Sequence, residues 1–337
     1  MRINMSGQTV LVTGATGMVG QRVCQRAQQE GYAVRALVRD PAAAPAQRLK
    51  SLGIELCVGD LANPESFASE LREAELVVHV AAHVGDWGPA ETYRQINVVA
   101  LEKMLSIVEQ AGKLKRWVQI SSLGVYPAGD HYGTDESAPI SLRGLDGYLQ
   151  TKAEAEVVLW RHMQEQGLPA VILRPGFIYG PGDRHVLPNL VQKLESGKLK
   201  FIGRGDKLLN NTYVENLVEG ILLGMKHPAA LGEAFNLTDS RLVTRQEFIG
   251  AICKFFGKPL PGRVPEWLAR LAVKPMESVA RLLGAKSPPL LTGARVKFLA
   301  NNLDYSIAKA QRVLGYSPQI DFQDGIRATL EAWRKPD

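Results

Sequence analysis

The feature that most constrains this chain is a run of glycines at the end of a β-branched stretch. Thr9 to Thr13 reads as a buried strand and passes directly into Gly14-Ala15-Thr16-Gly17-Met18-Val19-Gly20, with helical periodicity following from Val19. Glycines three apart do separate work there. Gly14 and Gly17 let the backbone turn tightly and approach a charged group, and Gly20 allows close helix packing. The N–H groups and positive dipole end of the helix complete a cradle for a pyrophosphate. The spacing alone is common; the strand before it and the helix after it make the pattern specific for a dinucleotide, with Thr16, Met18 and Val19 in the same loop.

The rest of the first half repeats that alternation. Further strands are expected at Ala33 to Val38, Glu55 to Val58, Leu76 to Val80, Trp117 to Ser121 and Ala170 to Arg174, with helices at 19–30, 64–73, 93–110 and 148–166 between them. Such alternation predicts an α/β fold with a doubly wound parallel sheet of the Rossmann type. After Pro175 the rhythm breaks down, and a smaller, partly interleaved C-terminal substrate lobe is expected. The division is a dinucleotide-binding part over 1–175, with 210–237 returning to it, and a substrate-binding part over 176–209 and 238–337.

Composition narrows the class of protein. With 45% hydrophobic and 22% charged residues, the chain is an ordinary globular protein rather than a disordered one. Three separated cysteines, Cys24, Cys57 and Cys253, suggest neither a disulfide framework nor a zinc cluster, so a reducing cytoplasm is the expected setting. No apolar run is long enough for a membrane span and no signal peptide is legible. The net charge of +6 is local: residues 241–300 hold 11 Lys/Arg against 3 Asp/Glu. A general nucleic-acid-binding surface is therefore not expected.

The second strand should end beside the adenosine ribose, where a carboxylate favours NAD. Here it ends Val38-Arg39-Asp40-Pro41, and the Arg39 guanidinium suits a 2′-phosphate, so NADP(H) is favoured. A slip of one residue would instead make Asp40 the ribose ligand and NAD(H) the cofactor. Asp60 and Leu61, after the third strand, can meet the adenine, although Asp60 could equally cap a turn before Pro64. Ala81 and Ala82, after the fourth strand, leave room for a close backbone approach. His79 and His83 straddle a strand end with no third ligand nearby, so no metal site is expected.

Tyr148 and Lys152 open a helix at a spacing of four, which puts phenol and ammonium on one face. Proton exchange near neutrality needs a phenol below its ordinary pKa of about 10, and a nearby ammonium lowers it. Ser122, at the end of the fifth strand, can bond the same substrate oxygen. Tyr148 follows Ser122 by 26 residues, and both follow the glycine cradle in the order this chemistry requires.

With these residues the chain resembles the extended branch of the short-chain dehydrogenase/reductase superfamily, which includes epimerases and dehydratases, 3β-hydroxysteroid dehydrogenase-like enzymes and dihydroflavonol reductase-like enzymes. The motifs are Thr13 to Gly20, Gly59-Asp60-Leu61, His79-Val80-Ala81-Ala82, Ser121-Ser122, Tyr148 with Lys152, Arg174-Pro175-Gly176 and Tyr179-Gly180-Pro181-Gly182. The resemblance implies that Ser122, Tyr148 and Lys152 form a catalytic triad and that backbone after Pro175 meets the nicotinamide carboxamide. It also implies a homodimer. Asn97 matches a recurrent position but is left outside the catalytic set. Val34 to Pro41 is similar to the NADP-selecting stretch of the reductase-like group. Asn210 to Leu217 and Leu303 to Ala310 are similar to the hydroxysteroid dehydrogenase-like group.

Residues 264–283 carry an apolar stripe of Val264, Trp267, Leu268, Leu271, Ala272, Met276, Val279, Leu282 and Leu283, interrupted by Pro275 and flanked by Arg270, Lys274 and Arg281. A kinked amphipathic hairpin is expected. It could pack on the catalytic domain, cover an apolar substrate, or make peripheral membrane contact within 259–300. The resulting expectation is an NADPH-dependent reductase acting on a ketone of a hydrophobic small-molecule substrate, such as a β-keto acid, a lipid or a steroid. A nucleotide-sugar epimerase or dehydratase that retains its cofactor is the alternative, and a dinucleotide-binding sensor or scaffold without turnover is the second.

Overall fold

The computed structural model describes residues 7–85, 87–184, 186–285 and 287–334. Seven parallel strands form one sheet: β1 (Thr9–Thr13), β2 (Ala33–Val38), β3 (Glu55–Val58), β4 (Leu76–His79), β5 (Arg116–Ile120), β6 (Ala170–Pro175) and β7 (Glu233–Leu237). Their order across the sheet is β7-β6-β5-β4-β1-β2-β3. Strands covered on both faces read as near-continuous apolar runs, and β5 and β6 are buried at every position.

Alternate side chains feed two cores. Val10, Val12 and Val34 point into the cluster shared with Val19, Val23 and the helix Val214–Lys226, whereas Leu11, Leu37, Val77 and Trp117 point into the one shared with Leu101, Leu105 and Leu159. β1 pairs with β2 through Val12 and Ala36, and with β4 through Val12 and Val78. The chain winds one way from β1 through β3 and the other way from β4 through β7. The crevice between β1 and β4 is therefore the switch point at which such sheets bind ligands.

The strands expected from sequence agree with the sheet to within one residue at their ends. The expected helix over 93–110 is more complex: α-helical turns at Ala90–Arg94 and Ala100–Ala111 are joined by a π-helical segment over Gln95–Val99. Beyond the sheet, short strands stitch distant segments together. Phe177–Tyr179 pairs with Asn211–Tyr213, Lys200–Ile202 with Gly262–Val264, and His131–Thr134 with Leu303–Tyr305.

The expected hairpin over 264–283 is not formed. A single helix, Glu266–Leu282, runs through Pro275, and it is followed by Gly293–Ala300. Proline removes one N–H and crowds the carbonyl four residues back, which bends or breaks an isolated helix. Here the helix is anchored on both sides of Pro275 by buried Ala269 and Ala280. Among the described residues, no helix is long and apolar enough to cross a membrane.

Candidate active site

The glycine loop lies at the β1/β4 crevice. Gly14 has a φ of +67°, and a Cβ there would come within 2.8 Å of the Ala81 amide nitrogen. A Cβ on Gly20 would stand 2.1 Å from the Gly14 carbonyl oxygen. Both positions thus require glycine, one for conformation and contact and the other for contact alone. The helix Met18–Gln29 starts at exposed Gly17 with no side-chain cap and no acidic residue in its first turn. Its N-terminal end is therefore suited to an anion, and the cradle fits a dinucleotide pyrophosphate. Thr16 and Met18 are half-buried in this loop, while Val19 is buried in the core.

Ala81 and Ala82 are half-buried on the opposite lip. The Ala81 amide donates to Thr13 Oγ1 at 3.2 Å, and Thr13 Oγ1 lies 2.8 Å from His79 Nδ1. Burial, aided by the charge of Lys152, holds the His79 pKa down at about 3. His79 is thus a neutral imidazole that ties β1 to β4.

Arg39 is exposed just past β2, and the β1/β2 register carries it alongside the start of the glycine loop. Its neighbour Asp40 is also exposed, but Asp40 Oδ1 accepts from the Ala42 amide at 2.9 Å. Asp60 behaves as Asp40 does: its Oδ1 accepts from the Ala62 amide at 2.9 Å, and its own amide donates to Ser66 Oγ. The turn-capping alternative is thus realised at Asp60, which is exposed beside half-buried Leu61 just past β3.

Ser122 follows β5 and opens a short 3₁₀ turn, Leu123–Val125. Its Oγ accepts from the Gly124 amide at 3.0 Å, which leaves the hydroxyl proton free for another acceptor. Tyr148 and Lys152 lie on the helix Gly147–Glu165, whose N-terminus is capped by Asp146 Oδ1 on the Leu149 amide at 2.7 Å. Two contacts bring that helix to the Ser122 turn. Lys152 Nζ donates to the Ile120 carbonyl at 2.7 Å, and Leu149 sits so close that a Cβ on Gly124 would be 2.4 Å from its Cδ2.

Lys152 Nζ stands 5.8 Å from the centroid of the Tyr148 ring. The surrounding protein groups do not lower the phenol as the spacing predicts. Burial, then the Asp146 carboxylate, push Tyr148 up to about 12. Burial also holds Lys152 down at about 8, opposed by Glu156 one turn along. The reason for the difference is geometric, because the ammonium is directed at the Ile120 carbonyl. At neutral pH the phenol is a proton donor with a cation beside it.

Among the site-shaping residues, Asn97 and Arg174 stand in motifs quoted from the sequence without a role assigned, whereas Glu156 and Lys297 escaped the sequence reading. Buried Asn97, in the π-helical segment, clasps the crevice: its Oδ1 accepts from the His83 amide at 2.7 Å, and its Nδ2 donates to the His83 carbonyl and to Thr151 Oγ1. Behind Lys152, buried Glu156 accepts from Ser121 Oγ at 2.5 Å and pairs with Arg174 at 2.6 Å. Arg174 also donates to the Tyr126 hydroxyl at 2.8 Å. Lys297, on Gly293–Ala300, reaches back to the carbonyls of Gly124 at 3.2 Å and Tyr126 at 2.8 Å. Nothing local marks Lys297. Pro175 ends β6, and Gly176 after it donates to Thr212 Oγ1 at 3.2 Å. The Asn210–Leu217 motif is structural: Asn211, Asn216 and the Tyr213 amide all donate to buried Asp239.

A cavity of about 580 Å³ opens beside this site, lined by Leu145, Leu271, Val273 and Val296 together with Arg270 and Lys297. It is bordered by the helices Glu266–Leu282 and Gly293–Ala300. Lys297 forms the wall between it and the Ser122 turn, and neither Ser122 nor Tyr148 lines it.

Residues 10–238 match the NAD dependent epimerase/dehydratase family. The chain belongs to that family. Relatives span almost all of it. A 2-alkyl-3-oxoalkanoate reductase of Shewanella oneidensis is 31% identical over 329 residues, covering 94% of this chain and 84% of the relative. A 3-beta-hydroxysteroid dehydrogenase of Mycolicibacterium neoaurum is 31% identical over 335 residues, covering 95% and 90%. Among solved structures, the epimerase Mth375 of Methanothermobacter thermautotrophicus matches with a TM-score of 0.77 at 25% identity, covering 98% of this chain and 93% of that one. This member of the epimerase/dehydratase family is an NAD(P)-dependent oxidoreductase of the extended short-chain dehydrogenase/reductase type.

Proposed function

We propose that this protein reduces a ketone on a hydrophobic substrate, with NADPH as the preferred cofactor. The observation that carries the reading is the packing of the Ser122 turn onto the helix of Tyr148 and Lys152, at the same sheet edge as the glycine cradle. The dinucleotide, when bound, supplies a hydride to the carbonyl carbon. Tyr148 donates its proton to the carbonyl oxygen, and Ser122, which accepts from the Gly124 amide, donates a hydrogen bond to that oxygen. Lys152 provides the positive charge beside the phenol as its proton leaves.

The preference for NADPH rests on exposed Arg39 beside an Asp40 that caps its own turn. Gly14, Gly17 and Gly20 form the cradle, the exposed edge of Asp60 and Leu61 serve the adenine end, and backbone after Pro175 serves the nicotinamide end. The substrate class follows the names of the relatives, a 2-alkyl-3-oxoalkanoate reductase and a 3-beta-hydroxysteroid dehydrogenase, and the partly apolar cavity beside the site. Residues 1–175 with 210–237 would hold the cofactor, and the remainder the substrate. Peripheral membrane contact within 259–300 and pairing of two copies complete the reading.

The test is to incubate the purified protein with NADPH and a panel of β-keto acids, lipid ketones and 3-ketosteroids, following NADPH consumption and alcohol formation. Equal amounts of both support the reading. Turnover of nucleotide sugars alone, with the cofactor retained, rejects it.

A further inference from the structure

The helix Glu266–Leu282 has two apolar faces, and the larger one points away from the protein. At about 100° per residue, Ala269, Val273 and Ala280 fall on one side, and this side packs inward. Trp267, Leu268, Leu271, Pro275, Val279 and Leu282 fall on the other. Trp267 is 65% exposed, Leu271 66% and Leu282 87%. The sequence left packing, a cover over substrate and a membrane surface open for this stripe; in the structure its small residues make the inward contact and its bulky ones point out.

Placing large apolar side chains in water runs against the hydrophobic effect. Scattered exposed leucines need no explanation, but an aligned stripe on one helix marks a contact surface. Its border identifies the partner. Arg270, Lys274 and Arg281 line one edge of the stripe, the region 241–300 carries the chain's excess of basic residues, and no span-length helix is present among the described residues. Arg270 and Arg281 pair with Glu266 and Glu277 on the same helix, whereas Lys274 is exposed. A protein partner of this shape would need acidic counterparts at helical spacing. An anionic bilayer presents negative charge along the whole edge and hydrocarbon beneath it.

We infer that Glu266–Leu282 is an interfacial helix that seats the protein on an anionic lipid surface, Trp267, Leu271 and Leu282 entering the acyl boundary while Lys274 meets headgroups. The same helix lines the cavity beside the active site through Arg270, Leu271, Val273 and Lys274. Its C-terminal end touches the loop after β4, where Trp87 Nε1 donates to the Ala285 carbonyl at 2.8 Å and the Arg281 guanidinium lies over the Trp87 ring. That loop is tied to Tyr93, which packs against Gly147 at the start of the Tyr148 helix. A substrate dissolved in the lipid would thus meet the cavity without crossing bulk water. The docking deepens the membrane contact proposed for 259–300, and the delivery role rests in addition on the hydrophobic-substrate reading.

The experiment is sedimentation of the full chain with vesicles of phosphatidylcholine alone and of phosphatidylcholine mixed with phosphatidylglycerol. Turnover of a water-soluble ketone is measured in parallel, so that failure of docking and failure of the reductase reading are separable. Binding to the mixed vesicles, weakened by salt and by Lys274→Glu, is expected. Trp267→Glu/Leu282→Glu should lower the partition coefficient on the order of 100-fold, with thermal stability and soluble-ketone turnover unchanged. If the wild type stays in solution with the mixed vesicles at low salt, the inference fails. It also fails if the double variant binds as the wild type does, or if the exposed stripe proves to join two copies that ignore lipid in analytical ultracentrifugation.

Discussion

The Gly124 amide donates a 3.0 Å hydrogen bond to Ser122 Oγ, which occupies one lone pair and leaves the serine proton free to be donated. A Cβ on the same glycine would stand 2.4 Å from Leu149 Cδ2, the movable tip of a side chain, and 3.2 Å from Ser122 Oγ. Gly124→Ala should therefore turn Leu149 aside, on the helix that carries Tyr148, and crowd the Ser122 hydroxyl. We expect turnover to fall by about 10²-fold, the scale of a small misplacement of reacting groups. Steady-state kinetics beside dinucleotide titration check this, and the cofactor affinity should not change.

The Glu156–Arg174 pair is a buried charge pair with further bonds to Ser121 and Tyr126. Removing one partner leaves the other charge uncompensated in the interior. Glu156→Ala should cost about 3–5 kcal/mol of stability. Denaturant unfolding measures it, and a loss below 1 kcal/mol, roughly the value of a surface pair, would show that the pair does not bear on the fold.

Lys152 titrates at about 8 in the folded protein against an ordinary value near 10.5. Between those values the unfolded chain holds the proton and the native one does not, so this group makes stability rise with pH across that window. Lys152→Met should abolish turnover and remove that part of the pH dependence. Thermal melts of both proteins on either side of pH 8 check the sign: the wild type should gain on the variant as pH rises. A constant gap would mean that burial does not depress the lysine.

Arg39→Asp should reverse the dinucleotide preference. A charge-assisted bond to a 2′-phosphate is worth about 1.5–3 kcal/mol, so NADPH should bind roughly 10- to 100-fold more weakly. Calorimetric titration with NADPH and NADH measures the two affinities, and an unaltered ratio removes Arg39 from the site.

The sheet was legible in the sequence because strands covered on both faces leave unbroken runs such as Val10-Leu11-Val12, and because Gly14, Gly17 and Gly20 answer to local backbone needs. The meeting of the Ser122 turn with the helix of Tyr148 and Lys152 was foreshadowed by their order and spacing. What the sequence withheld depends on contacts between distant segments. Lys297 meets Gly124 and Tyr126 across more than half the chain, and Asn97, a residue the sequence marks without giving it a role, bonds to His83 and Thr151 from a π-helical turn that no periodicity announces. The outward face of Glu266–Leu282 was hidden for the opposite reason. Hydrophobic periodicity reports a stripe, but whether the core takes the bulky side or the alanine side is decided by its neighbours.

The most direct measurement is the rate at which Tyr148→Phe consumes NADPH with a ketone that the wild type reduces. The phenol is the proposed proton donor, so the rate should fall by roughly 10²- to 10⁴-fold while the variant still binds the dinucleotide. A variant that turns over at the wild-type rate would contradict the account.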